Sequence, residues 1–249
     1  LGVQMVNGQG QLLQFGGQVM KNVAGYDVSR LMAGSWGSLG FISEATIKVL
    51  PTAPAETSLR FAMPQAQALQ MLRASCALPL PLNASCWLPD EGGTLWLRLR
   101  GARAAVLTAQ QTLCQQWQGQ EANPTQAQAL WHTAQEQQWA HWQHRTSQEA
   151  VWRVSVPPHT PVMDLPFTQL VEWHGGLRWV VAPAQSQAVQ QLMDWAHAAG
   201  GHVRMHLPAA DCPTVFTQSP LAPALHTIHQ RVKAALDPAG IFTQPHPVF

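Results

Sequence analysis

The residues best spaced to do chemistry are Gly34, Gly37 and Gly40, in the run "GSWGSLG" between "DVSRLMA" and "FISEATIKVL". Glycine loses more conformational freedom on folding than any other residue, so a run of it marks backbone bent sharply or approached closely. The pattern is G-x-x-G-x-x-G ahead of a strand. It is not the G-x-G-x-x-G that opens a helix in a dinucleotide fold. No G-x-S-x-G surrounds Ser35 or Ser38, so a nucleophile elbow is excluded by spacing. Two readings stay open from the residues alone. The loop packs against a neighbouring element, or its bare backbone N–H groups face a cofactor.

Other candidates are weaker. His132, His141 and His144 fall in one Trp-rich segment, with the last two at i, i+3 and Glu136 the nearest carboxylate. A metal centre needs a third convergent ligand and supporting partners, so these read as histidines on a solvated or partner-facing helix. Asp27, Glu44, Asp90, Glu172 and Asp211 are isolated from one another, and no paired-carboxylate or Ser/His/Asp set can be defended by spacing. Of the eleven tryptophans, Trp96, Trp152 and Trp179 read as core. Trp131, Trp139 and Trp142, close together on one predicted helix, read as a partner surface. Cys76, Cys86, Cys114 and Cys212 form no C-x-x-C pair, which argues for a reducing compartment and against a zinc or iron–sulfur ligand set.

The elements that must position these residues follow from pattern. Charged residues make up 11% of the 249, against roughly 25% in an average soluble chain, and 29 glutamines stand beside only three lysines. With a net charge of +1 there is no basic stripe to track nucleic acid. The longest apolar runs are too short to cross a bilayer, and no signal-peptide pattern opens the chain. Residues 1–15 predict a hairpin with its tight turn at Asn7-Gly8. A short helix is expected over 27–33 and a strand over 39–49, and "PTAPAE" is the best domain boundary. Beyond it strands and helices alternate. Strands are expected at "TSLRFAM", "LNASCWL", "TLWLRLR", "AVWRVSV", "LRWVVA" and "HVRMHL". Helices are expected around 64–77, 102–117, 126–143, 184–200 and 221–236. Such alternation with hairpins argues for an α+β sandwich of the split βαβ kind.

The stretch "GGQVMKNVAGYDVSRLMAGSWGSLGFISEATIKVLP" resembles the vanillyl-alcohol-oxidase, or PCMH-type, flavoprotein family, and within it the E-type subunits of glycolate oxidases. The family pattern N-x-x-G-Y-D-L-x-x-L-x-x-G-S-x-G-x-L-G-x-I is met by Asn22, Gly25, Tyr26, Asp27, Leu31, Gly34, Ser35, Gly37, Leu39, Gly40 and Ile42. Val28 replaces the usual Leu, and Trp36 stands where many relatives carry Glu. "TPVMDLPFTQLVEWHGGLRW" and "LDPAGIFTQP" extend the resemblance along the chain.

The resemblance implies an α+β fold in which residues 1–53 are the C-terminal portion of a PCMH-type FAD-binding domain. Residues 54–235 would be a ferredoxin-like cap domain, and 236–249 a tail returning to the FAD domain. It implies FAD as cofactor, with Gly34, Ser35, Gly37, Ser38, Gly40 and Ile42 as its contacts, no metal, and no assigned catalytic residue. It also implies partners: a second, D-type flavin subunit and an F-type iron–sulfur subunit that together oxidise glycolate, a 2-hydroxy acid, to glyoxylate. This subunit would relay electrons in the cytoplasm, or at the inner membrane face through the complex. The family's N-terminal pyrophosphate loop has no counterpart in these residues, so the expectation is that the chain alone holds FAD weakly or not at all. The alternative is a non-catalytic docking subunit without flavin, whose working parts are the cap and Trp131, Trp139 and Trp142. The related lactate and 2-hydroxyglutarate dehydrogenases are a third option, against which the absence of their histidine cluster counts.

Overall fold

The computed structural model describes residues 1–17, 25–212 and 217–242. It divides into two compact units: Leu1–Pro51 together with Pro220–Phe249, and Thr52–Ser219. The chain is α+β, with every strand pairing antiparallel.

In the first unit, β1 (Gly2–Val6) lies between β2 (Leu12–Gly16) and β3 (Phe41–Thr46). The β1–β2 register closes on Val6↔Leu12, so the connection is five residues wide and not the tight Asn7-Gly8 turn expected from sequence. Asn7 organises it, its side-chain oxygen accepting from Gln9 N–H at 3.0 Å and Gln11 N–H at 2.9 Å. Positive φ falls instead at Gly10. Gly8 is bare for a different reason: a Cβ there would sit 2.2 Å from the Asp237 carboxylate. Helix α1 (Val28–Met32) starts where Asp27 accepts from Arg30 N–H at 3.0 Å. The core is Val3, Met5, Met32 and Leu39, with Val232 and Leu236 packed on it. Those last two sit on helix α7 (Pro223–Leu236), so the return to this unit begins at Pro220, before the residue 236 expected from sequence.

The second unit is an eight-stranded sheet made of two halves, each with the strand order 4-1-3-2 of a ferredoxin-like βαββαβ unit. The first half runs β4 (Ala55–Ala62), α2 (Gln65–Cys76), β5 (Leu82–Leu88), β6 (Thr94–Gly101), α3 (Arg103–Trp117) and β7 (Gln120–Glu121). The second runs β8 (Glu149–Ser155), an irregular crossover, β9 (Thr168–Glu172), β10 (Leu177–Pro183), α6 (Ser186–Ala198) and β11 (His202–Leu207). The halves join through β5 and β9, with Cys86 opposite Glu172. Residues three and four apart on α2, such as Ala68, Leu69, Met71 and Leu72, bury one helix face on Leu59, Phe61, Leu95 and Leu97. In the second half Leu192 and Ala196 of α6 bury theirs on Trp152, Val154, Val180 and Val203.

Between the halves the expected single helix over 126–143 is two: α4 (Pro124–Glu136) and α5 (Ala140–Gln143). Gln137 takes the left-handed φ of +56° and stops α4. His132 is thereby parted from the short helix carrying His141, and His144 caps its end. The tryptophan surface expected here is also corrected. Trp139 and Trp142 are 3% exposed and belong to a core with Leu170, Leu177 and Trp179, against which Trp131 packs. Among the described residues no helix is long and apolar enough to cross a membrane.

Candidate functional site

Two regions gather polar groups or bare backbone, one in each unit. In the first, α1 runs straight into the glycine loop. Ser35 N–H returns to Met32 O at 3.2 Å and Ser38 N–H to Ser35 O at 3.0 Å, making two successive turns. Gly34 and Gly37 hold φ of +83° and +75°, and a Cβ on either would meet nothing within 4 Å. They are therefore glycine for backbone conformation, and the loop's outer side is open. Gly40 differs: its Cβ would sit 2.9 Å from Val6 O, so it is glycine for packing on β1. Trp36, at φ +54° without being glycine, is 57% exposed at the crest.

The six residues predicted to contact a cofactor thus separate. The backbones of Gly34 and Gly37 face open space. Ser35 and Ser38 are buried, and the Ser38 hydroxyl donates back to Ser35 O. Ile42 lies on β3, lining a cavity of about 580 Å³ with Gly16, Gly25, Tyr26, Ser29 and Thr46 among others. Asn22 of the family pattern lies outside the described residues, as do the last three residues of "LDPAGIFTQP".

Sequence reasoning missed what braces the loop. Lys233 Nζ donates to Ser38 O at 2.6 Å, to Phe242 O at 2.9 Å and to the Asp237 carboxylate. Asp237, 3% exposed, also accepts from Ile241 N–H and Phe242 N–H, each at 2.9 Å. Burial pushes its carboxyl upward. The Lys233 hydrogen bond, the two backbone donors and the Lys233 charge outweigh that and hold it below the usual carboxylate range.

In the second unit the β9–β10 turn "EWHGG" carries Trp173 and His174 at φ of +51° and +55°. Both are costly conformations for such side chains, of the kind that persists where surrounding structure enforces it. Here His174 N–H is pinned to Ser85 Oγ at 2.8 Å. The turn borders a cavity of about 420 Å³ whose lining includes Ser85, Arg98, Trp131, Glu172 and His174. Glu172 accepts from Trp179 Nε1 at 2.7 Å, and burial raises its carboxyl above the usual range against the pull of that bond and of Arg153. Burial lowers the His174 imidazole, whose Nδ1 is buried without a partner. Both side chains line the same cavity, and burial disfavours the charged form of each. Arg153 lies 5.2 Å from the Trp173 ring centroid and directly across from Arg204 on the neighbouring strand. Glu172 was visible in the sequence only as an isolated acid, because its neighbours come from β5, β10 and α4.

Among the described residues no group of three His, Cys, Asp or Glu side chains is placed to hold a metal ion. His141, flanked by the Trp139 and Trp142 rings, has its imidazole lowered by burial. All four cysteines are free thiols, and burial raises that of Cys86 well above the ordinary value.

No protein-family model matches the chain. It is 37% identical to glycolate oxidase subunit GlcE of Escherichia coli K12 over 97% of its own length and 63% of that subunit's. It is 31% identical to D-2-hydroxyglutarate dehydrogenase of Xanthomonas citri pv. viticola over 55% of its length and 29% of the enzyme's. An alkyldihydroxyacetonephosphate synthase structure superposes on the whole chain with a TM-score of 0.58. The identity there is 15%, over 54% of that structure, and shows the fold alone. The chain therefore spans a little over half to three-fifths of the proteins it resembles along its full length. The similarity to an E-type glycolate oxidase subunit read from the glycine loop and the later motifs agrees with these matches.

Proposed function

We propose that the chain is the glycine-loop and cap portion of an FAD-binding, E-type subunit of a glycolate oxidase. In this reading it works with a D-type flavin subunit and an F-type iron–sulfur subunit. The observation that carries the proposal is the similarity of 97% of the chain to 63% of the glycolate oxidase subunit GlcE. The open space beside Gly34 and Gly37 supports FAD as the occupant, since neither position carries a Cβ to hold a flavin off the backbone. A bound flavin would supply the acceptor for a hydride equivalent from a 2-hydroxy acid such as glycolate. The chain's own residues then have separate tasks. The loop from Gly34 to Gly40 offers backbone to the cofactor, with Ile42 beside it. Ser35 and Ser38 hold the loop's turns from within. The second unit is the cap. The subunit would relay electrons on the cytoplasmic side, peripheral to the membrane through its complex.

The docking alternative assigned Trp139 and Trp142 to a partner, and their burial removes that support. The test is the visible absorption spectrum of the purified chain after incubation with FAD and desalting. A version extended at its N terminus to the length of GlcE is run alongside. Flavin bands in the extended version, weak or missing in the shorter one, are the expected result. Bands in neither would remove FAD from the proposal, and full bands in the shorter chain would show that the loop alone suffices.

A further inference from the structure

We infer that Lys233 is a positioning residue: it fixes which way the Ser38–Leu39 peptide faces in the glycine loop. An ammonium has three N–H donors, and those of Lys233 go to three different acceptors, Ser38 O, Phe242 O and the Asp237 carboxylate. None is left over for water, although the side chain is 20% exposed. The carboxylate is immobilised in turn by Ile241 and Phe242 N–H, and Leu236 O accepts from Gly8 N–H at 2.8 Å. Lys233 therefore projects from a framework already tied to the hairpin between β1 and β2.

A trans peptide points its C=O and N–H in opposite directions. With Ser38 O turned toward the Lys233 ammonium, Leu39 N–H must point away from α7. Turning the 38–39 peptide over would break a charge-assisted bond and bring an N–H toward an ammonium. The neighbouring turns hold less firmly. Gly37 can adopt either sign of φ, and Ser38 Oγ bonds only within the loop. The Leu39 side chain is buried and anchors the residue, but nothing in that anchoring sets the peptide's orientation. Lys233 does. Resting on the flavin reading, the consequence is that Lys233 makes the loop present a donor on the side away from α7.

Hydrogen exchange in Lys233→Met and Lys233→Arg tests the inference. Amides of residues 35–40 are expected to exchange about tenfold faster or more in the Met variant, with β1 and the second unit unchanged, and Arg to restore part of the protection. Unchanged exchange at 35–40, or an equal rise across β1, would overturn it. If the Met variant does not fold, the wild-type Ser38 carbonyl ¹³C resonance decides. It is expected downfield of the other loop carbonyls, and a value within their range overturns the bond. Where the wild type retains FAD, Lys233→Met is expected to weaken retention about tenfold, and equal retention would overturn the positioning role. Failure of the N-terminally extended wild type to hold FAD would count against the flavin reading, and the exchange result would still decide the loop's brace.

Discussion

The two halves of the eight-stranded sheet solve one topology with different materials. Where the first half crosses from β4 to β5 with helix α2, the second crosses from β8 to β9 through irregular residues 156–167. The helix buries Met71 and Leu72 and satisfies its own backbone. The irregular crossover has no ladder of its own, so its carbonyls need partners from elsewhere. Arg178, fully buried on β10, supplies one: its guanidinium donates to Thr160 O at 2.9 Å, and it also donates to Gly175 O in the β9–β10 turn at 3.1 Å. Gln169 adds a bond to Met163 O at 3.3 Å. Burial with no carboxylate alongside pushes the Arg178 pKa down to about 10. The first crossover buries a helix face, while the second adds a buried cation as backbone donor to the apolar contacts of Val156 and Met163.

The difference can be broken most forcefully on the apolar side. Leu72→Ala, at a position 1% exposed in the first half, should cost about 2–5 kcal/mol in urea unfolding. A loss below about 1 kcal/mol would mean that α2 is not what holds that half. A sharper comparison uses the two tight turns after α3 and α6, where the halves agree. A Cβ on Gly201 would sit 2.1 Å from Ser155 O, and one on Gly119 would sit 2.0 Å from the Phe61 ring. Backbone cannot yield as a ring can. Gly201→Ala should therefore lose about 1–3 kcal/mol and Gly119→Ala less, and the reverse order in thermal melts would contradict that reasoning. Smallest in net stability is Arg178→Met, because losing two carbonyl partners is partly offset by removing a buried charge. About 1 kcal/mol is expected, but with new proteolytic cleavage inside 157–167 and none inside α2. Equal protection of both crossovers would show that Arg178 is not the fastening.

Much of this was legible in the residues. The helices α2, α3 and α6 and most strands follow from apolar spacing that the tertiary structure does not override. Strand β9 was lost because Gln169 and Glu172 are buried polar residues that spoil its alternation. The end of α4 was hidden because Gln137 takes the left-handed conformation where glycine is usual. The glycine loop was found by spacing and resemblance. Its division into positions open on one side and positions packed on β1 needed coordinates. So did the Lys233 brace, since its partners are 195, nine and four residues away. A contact of that first kind leaves no trace in local pattern.

Strand β3 bears on how the protein behaves in a tube. Among the described residues it pairs with β1 on one side only, and Phe41 and Ile42 on it, with Ile47, Val49 and Leu50 just beyond, are all exposed. An unpaired strand edge beside such apolar side chains is a template for another chain. Prepared by itself at high concentration, the chain should self-associate through this edge, and a lysine at position 42 should keep it dispersed.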